Sequence, residues 1–191
     1  MTRHPDEQEI GGQVDRIVSD WRRERPELMS LRPMAIFGRL SRIGARQRTI
    51  FNSRHEAAGL SLGSFDVLAN LRRSGPPHEK TPGDLAESSM LSSGGITLRL
   101  DRMEADGLID RTRSEHDRRV VHASLSARGR EVIDAVYGQH VAAQAALLAD
   151  LTEEELEDLE RLLRKVEVSI EKNADRARDL PVTDGSLEEQ P

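Results

Sequence analysis

Apolar positions recur at intervals of three and four through most of this chain, the spacing of amphipathic helices. Ile10, Val14, Ile17, Val18 and Trp21 predict a helix over 6–25, ended by Pro26. Pro33 opens a second, carrying Ile36, Phe37, Leu40, Ile43, Ile50 and Phe51 to about Gly59. Phe65, Leu68 and Leu71 predict a short helix over 64–74, closed by Ser74-Gly75-Pro76-Pro77. Thr81-Pro82-Gly83-Asp84 supplies a hydroxyl cap, a proline at the first helical position and an acid at the third, opening a helix to about Met90. Leu91-Ser92-Ser93-Gly94-Gly95 reads as a tight turn, and the helix after it carries Ile96, Leu100 and Met103 and closes at Gly107. There the period drops from 3.6 to 2. Residues 108–113 and 120–125 read as two short strands joined by a polar tip, Ser114 to Arg119. A long helix follows over 127–149, and Thr152 with Glu155 forms a capping box for a last helix to about Glu171. Residues 173–191 lack an apolar period and mix proline, glycine and acids, so they read as a disordered tail.

Composition narrows the function classes. The aromatics are one Trp, one Tyr and three Phe, so the core must be aliphatic, which suits packed helices. With no cysteine, disulfides, thiolate catalysis and cysteine-based zinc sites are excluded. No run approaches the ~18 apolar residues of a membrane span. The polar, acidic start is unlike a secretion signal, so a cytoplasmic protein with no membrane partner is expected. The net charge of −6 is unevenly spread: residues 31–130 hold 17 basic and 11 acidic side chains (+6), residues 150–191 hold 6 and 14 (−8). A basic middle between acidic ends permits a nucleic-acid face.

Three enzyme-like or metal-like signals carry little. Gly59-Leu60-Ser61-Leu62-Gly63 matches a hydrolase motif that needs a strand-to-helix turn, but a helix precedes it here, so Ser61 reads as a loop or helix-start residue. His4, His55, His78, His116, His122 and His140 lack metal-ligand spacing and read as solvated. Gly94 and Gly95 read as turn residues, not as a phosphate loop. No enzyme activity, cofactor or metal is expected.

Two short helices across a tight turn, then a two-stranded hairpin with a basic tip, make a winged helix-turn-helix. The second helix suits a major groove ~12 Å wide. Ser92, Ser93 and Thr97 at its start are small enough for close approach, while Arg118 and Arg119 at the tip suit the narrow, negative minor groove, with Asp117 placed to hold one of them. Each feature alone reads more readily as a capped helix or a solvated turn; their joint order and spacing point to DNA.

Here the sequence resembles the MarR transcriptional regulators. Asp117-Arg118-Arg119, then Leu125-Ser126-Ala127-Arg128-Gly129, matches that family's wing signature, with Ser126 in place of the usual Thr. The resemblance covers roughly residues 31–170. It implies a mainly α fold: a winged helix-turn-helix with a two-stranded β-wing and a helical dimerisation region. It implies a homodimer on a pseudo-palindromic operator of double-stranded DNA, most often a repressor. The division expected is N-terminal helices 1–60 for dimerisation and one wall of an effector pocket, a DNA-binding domain 61–126, C-terminal dimerisation helices 127–172 and a tail 173–191. The DNA-facing set is Thr81, Ser92, Ser93, Gly94, Thr97, Asp117, Arg118 and Arg119, with Arg119 entering the minor groove and Asp117 orienting it.

Trp21, Asp66, Arg99 and Arg111 are similar to the ligand residues of the urate-responsive branch of the family, as is the extra N-terminal helix. A planar anion such as urate would stack on Trp21 and pair with Arg99. The alternatives are an Asp66–Arg99 structural pair with Trp21 as core, and so a DNA-binding regulator with no effector, or one answering a phenol, a carboxylic acid or a metal.

Overall fold

The computed structural model describes residues 7–28, 30–89, 95–113 and 120–180. Its elements, in order, are α1 (Glu7–Glu24), α2 (Arg32–Ala57), α3 (Leu62–Arg73), β1 (Glu79–Lys80), α4 (Pro82–Ser88), α5 (Ile96–Ala105), β2 (Ile109–Arg113), β3 (Val121–Leu125), α6 (Ala127–Leu147) and α7 (Glu153–Arg178). The fold is mainly helical, as the periodicity predicted, with one small antiparallel sheet. The chain divides into two compact units, Met1–His140 and Val141–Pro191.

In the first unit, Leu68, Leu71, Leu85, Leu100, Met103, Ile109 and Ile133 are buried together, so α3, α4, α5, the sheet and the start of α6 share one aliphatic core. Apolar burial of this kind is the main stabilising term. In α1, Val14 is the buried apolar anchor. It packs on Gly38 of α2, where an added Cβ would stand 3.4 Å from Val14 Cγ1, and Arg39 pairs with Asp15 at 2.7 Å beside it.

The sheet has three strands in the order β1-β3-β2, not the two expected. The additional strand is the pair Glu79 and Lys80, opposite Ser124 and Ala123. Two residues are too few to show a period of two, so only pairing with β3 reveals them. A second correction concerns histidine. His55 and His78 are buried and His140 is half-buried, where solvated side chains were expected. His55 stacks on Phe65 with ring centroids 4.0 Å apart, and His140 lies 4.6 Å from both Phe51 and Phe65. Phe51, Phe65 and Tyr137 gather here, and the imidazoles complete the stack.

In the second unit, Thr152 caps α7 by accepting from the Glu155 amide, while the Glu155 carboxylate accepts from the Thr152 amide at 2.8 Å. The helix runs to Arg178, past the predicted stop near Glu171. Asn173 donates to the Ser169 carbonyl at 2.7 Å and Arg178 pairs with Asp175 at 2.7 Å. No glycine or proline interrupts this stretch, and neighbouring charges one turn apart favour helix without an apolar stripe. The expected tail 173–191 therefore begins as helix, and residues 181–191 lie outside the described residues.

Candidate nucleic-acid interface

The scaffold of the interface starts where the wing meets α6. Ser126 donates to the Gly107 carbonyl at 2.7 Å and accepts from the Gly129 amide at 2.9 Å, so one hydroxyl caps α6 and ties it to the turn after α5. An added Cβ on Gly129 would stand 1.9 Å from the Leu108 carbonyl oxygen, so only glycine lets α6 approach so closely. Arg128 donates to the Asp106 carbonyl at 2.9 Å. Ser126, Arg128 and Gly129 of the wing signature thus hold the exit of α5 and the end of β3 together.

The helix-turn-helix is braced from behind. Asn70 of α3, fully buried, donates to Ser88 Oγ at 2.9 Å, and Lys80 donates to the same oxygen at 2.9 Å. These bonds fix α4 to α3 and to the edge strand. Thr81, expected to face DNA, spends its hydroxyl within the chain: it accepts from the Asp84 amide at 3.1 Å and donates to Asp84 Oδ2 at 2.8 Å. The bonds that the Asp84 carboxylate accepts from the Thr81 hydroxyl and the Thr81 amide hold it below its usual range.

α5 begins after Gly95, whose φ of +77° is the left-handed conformation glycine adopts freely. The stripe Ile96, Leu100 and Met103 turns inward as predicted, with Leu100 and Met103 buried. Leu98, 55% exposed, Asp101 and Arg102 face out. Thr97 is exposed at the first turn.

Two arginines tie this helix to its neighbours from opposite flanks, Arg111 reaching it from β2 and Arg99 reaching from it onto α3. Thr97, Asp101 and Glu104, at i, i+4 and i+7, share one flank. Arg111 of β2 lies against it, 2.8 Å from Asp101 Oδ1 and 3.6 Å from Glu104 Oε2, and donates to the Thr97 carbonyl at 3.4 Å. Arg99 and Arg102 share the other flank and line a cavity of about 450 Å³ with Asn52, Ser61, Gly63 and Leu98. There Arg99 lies directly on α3: a Cβ at Gly63 would stand 2.5 Å from its Nε. Gly63 and Asp66 are one turn apart on α3, so Arg99 crosses the face that carries the buried Asp66.

The structure thus brings Arg99 to the α3 face that carries Asp66, and engages Arg111 on the opposite flank of α5. Trp21 is 46% exposed on α1. Ser92, Ser93, Gly94, Asp117, Arg118 and Arg119 lie outside the described residues. Ser61 is the N-cap of α3, accepting from the Ser64 amide at 3.0 Å, as the helix-start reading expected. Sequence reasoning passed over Leu98 and Arg102, although they lie opposite the Ile96–Leu100–Met103 stripe on a helical projection. It also passed over Asp101 and Glu104 as partners of Arg111, which only the fold brings together.

Comparison with known proteins agrees with this architecture. The MarR family model matches residues 60–121. PecS of Dickeya dadantii is 35% identical over 161 residues, covering 84% of this chain and 96% of PecS. Among solved structures, a mutant E. coli MarR in complex with operator DNA superposes with a TM-score of 0.61 at 25% identity, covering 71% of this chain and 96% of that one. Bordetella bronchiseptica BpsR, whose DNA binding is regulated by 6-hydroxynicotinic acid, superposes with a TM-score of 0.61 at 22% identity, covering 69% and 98%. With a PecS relative matched over nearly its whole length and a winged helix built on the family's wing signature, this chain belongs to the MarR family of DNA-binding transcriptional regulators.

Proposed function

We propose that the chain is a cytoplasmic homodimeric repressor. Its paired α5 helices and wings read a pseudo-palindromic operator, and a small planar anion, urate foremost, releases it. The two arginine contacts of α5, Arg111 reaching it from β2 and its own Arg99 reaching onto α3, carry this reading. One guanidinium bears on the helix that would enter the major groove and the other ties that helix to α3, so an anion competing for either one re-sets the helix against its scaffold. Trp21, Asp66, Arg99 and Arg111 form the proposed effector set, and the regulation of BpsR by a planar aromatic acid supports the ligand class. The DNA-facing set is Thr97 with Ser92, Ser93, Gly94 and Arg118, and with Arg119 oriented by Asp117; Thr81 acts there as the cap that fixes α4. Residues 61–126 form the DNA-binding domain. Helices within 1–60 and 127–172 form the dimer: Ile36, Phe37, Leu162 and Ile170 are among the large apolar side chains they expose, and a second copy would cover them.

Fluorescence anisotropy on DNA from upstream of the gene tests this, with urate titrated at fixed pH and salt and a scrambled duplex as control. Release from the specific duplex, lost in Arg99→Ala, is the expected result. An Arg99→Ala protein that binds DNA and still responds to urate would remove the pocket. Specific binding indifferent to urate would retain the regulator and discard this ligand.

A further inference from the structure

The outward face of α5 has an apolar centre line. The stripe Ile96, Leu100 and Met103 turns toward the core, with Leu100 and Met103 buried. On a helical projection the direction opposite that stripe is held by Leu98, near the start of the helix, and by Ala105 two turns later. Both are exposed, Leu98 by 55%. Charged side chains stand to either side, Asp101 on one flank and Arg102 on the other. A lone exposed leucine is ordinary on a protein surface and carries nothing by itself. Leu98 differs in its place, at the middle of the free face of α5 and in the first turns, the part of a recognition helix that meets base edges.

The neighbours of Leu98 leave that face open to contact. Asp101 is engaged from β2 by Arg111, 2.8 Å from its Oδ1. Arg102 forms no ion pair among the described residues. A surface approaching α5 therefore meets one large apolar side chain beside one unpaired cation. Arg102 suits phosphate, and a phosphate contact adds affinity without choosing a base.

Leu98 itself has no donor or acceptor to offer. In the major groove each base pair displays hydrogen-bonding atoms, and the thymine C5-methyl is the one apolar group among them. Leucine set against a guanine, adenine or cytosine edge strips water from polar atoms and returns no hydrogen bond, which is unfavourable. Set against the thymine methyl, it buries one apolar group on another.

We propose that Leu98 selects a T·A pair in each half-site of the operator by packing on the thymine C5-methyl group. The proposal rests on the reading that α5 enters the major groove, and it adds the base that one helix position demands.

Methyl deletion in the DNA tests this without disturbing the fold. The operator is located by footprinting the full chain on DNA upstream of its gene. Each thymine is then replaced singly by deoxyuridine, which lacks only the C5-methyl. For the parent, deoxyuridine at one thymine of each half-site should raise the dissociation constant about three- to fivefold, and a C·G pair there about tenfold or more. Leu98→Ala, checked for helicity by circular dichroism, should bind the thymine operator more weakly and lose no further affinity with deoxyuridine at that position. Leu98→Met keeps an apolar side chain of similar size and should keep the methyl preference. A Leu98→Ala protein with the parent's full deoxyuridine penalty at every thymine would overturn the proposal. So would a parent that binds its operator specifically yet ignores every thymine methyl. A parent with no preference for any duplex over a scrambled one would remove the operator reading, and this proposal with it.

Discussion

Gly129 of α6 lies so close to Leu108 that a methyl group at its Cα would stand 1.9 Å from the Leu108 carbonyl oxygen. That oxygen also accepts from the Ser126 amide at 3.3 Å, so it is fixed in place and cannot retreat. Replacing Gly129 by alanine must displace backbone, and we expect a loss of about 3 kcal/mol or more. In a thermal melt the midpoint should fall by roughly 6–12 °C. Gly138→Ala, where nothing lies within 4 Å of the added carbon, should instead stabilise, by about 0.5–1 kcal/mol. Equal effects at the two positions would contradict the close approach.

The Ser126 hydroxyl joins α6 to the turn after α5. Ser126→Ala removes the cap and leaves the Gly107 carbonyl without this donor, at a cost of about 1 kcal/mol. Ser126→Thr keeps the oxygen and should match the parent within experimental error. Urea denaturation midpoints compare the three, and an alanine variant as stable as the parent would show that the bond contributes nothing.

Arg111 neutralises Asp101, a carboxylate that otherwise faces out from α5, where DNA phosphates would approach. Arg111→Met should weaken specific DNA binding by roughly fivefold, about 1 kcal/mol. Arg111→Met/Asp101→Asn should recover most of that loss, because the unpaired negative charge is removed as well. Anisotropy titrations of the four proteins close the cycle, and additive effects would mean that the pair does not act through charge.

His55 and His140 are both held below their usual pKa. Burial is the main cause for each, supplemented at His55 by His140 and Arg54 and at His140 by Arg54. The folded state therefore favours neutral imidazoles, while the unfolded chain protonates near pH ~6.5. Their contribution to stability is fully present above that value and is lost as pH falls through the depressed folded-state values, because the unfolded chain then binds more protons. Melting temperatures between pH 8 and pH 5 should fall on the acid side of about 6.5. His55→Phe, which keeps the stack on Phe65, should flatten the curve. A parent melt unchanged down to pH 5 would refute this assignment.

Much of this was legible before folding. The inward face of α5 follows from Ile96, Leu100 and Met103 alone, because a helix repeats every 3.6 residues whatever surrounds it. The cap at Thr81, the cap at Thr152 and the closure at Gly107 are equally local, since each joins atoms a few residues apart. The wing signature pointed to the family for the same reason: it is a contiguous string.

What the tertiary structure decided is every relation across distance. Strand β1 exists only because β3 offers it partners. His55 and His140, read as solvated from spacing, are drawn into one stack by α2, α3 and α6. Arg111 meets Asp101 only once the hairpin folds back on α5, and Arg99 meets Gly63 only because α3 passes beneath it. Sequence periodicity determines which face of an element turns inward. Which side chain waits on the opposing face depends on how the elements pack, and no local pattern encodes that.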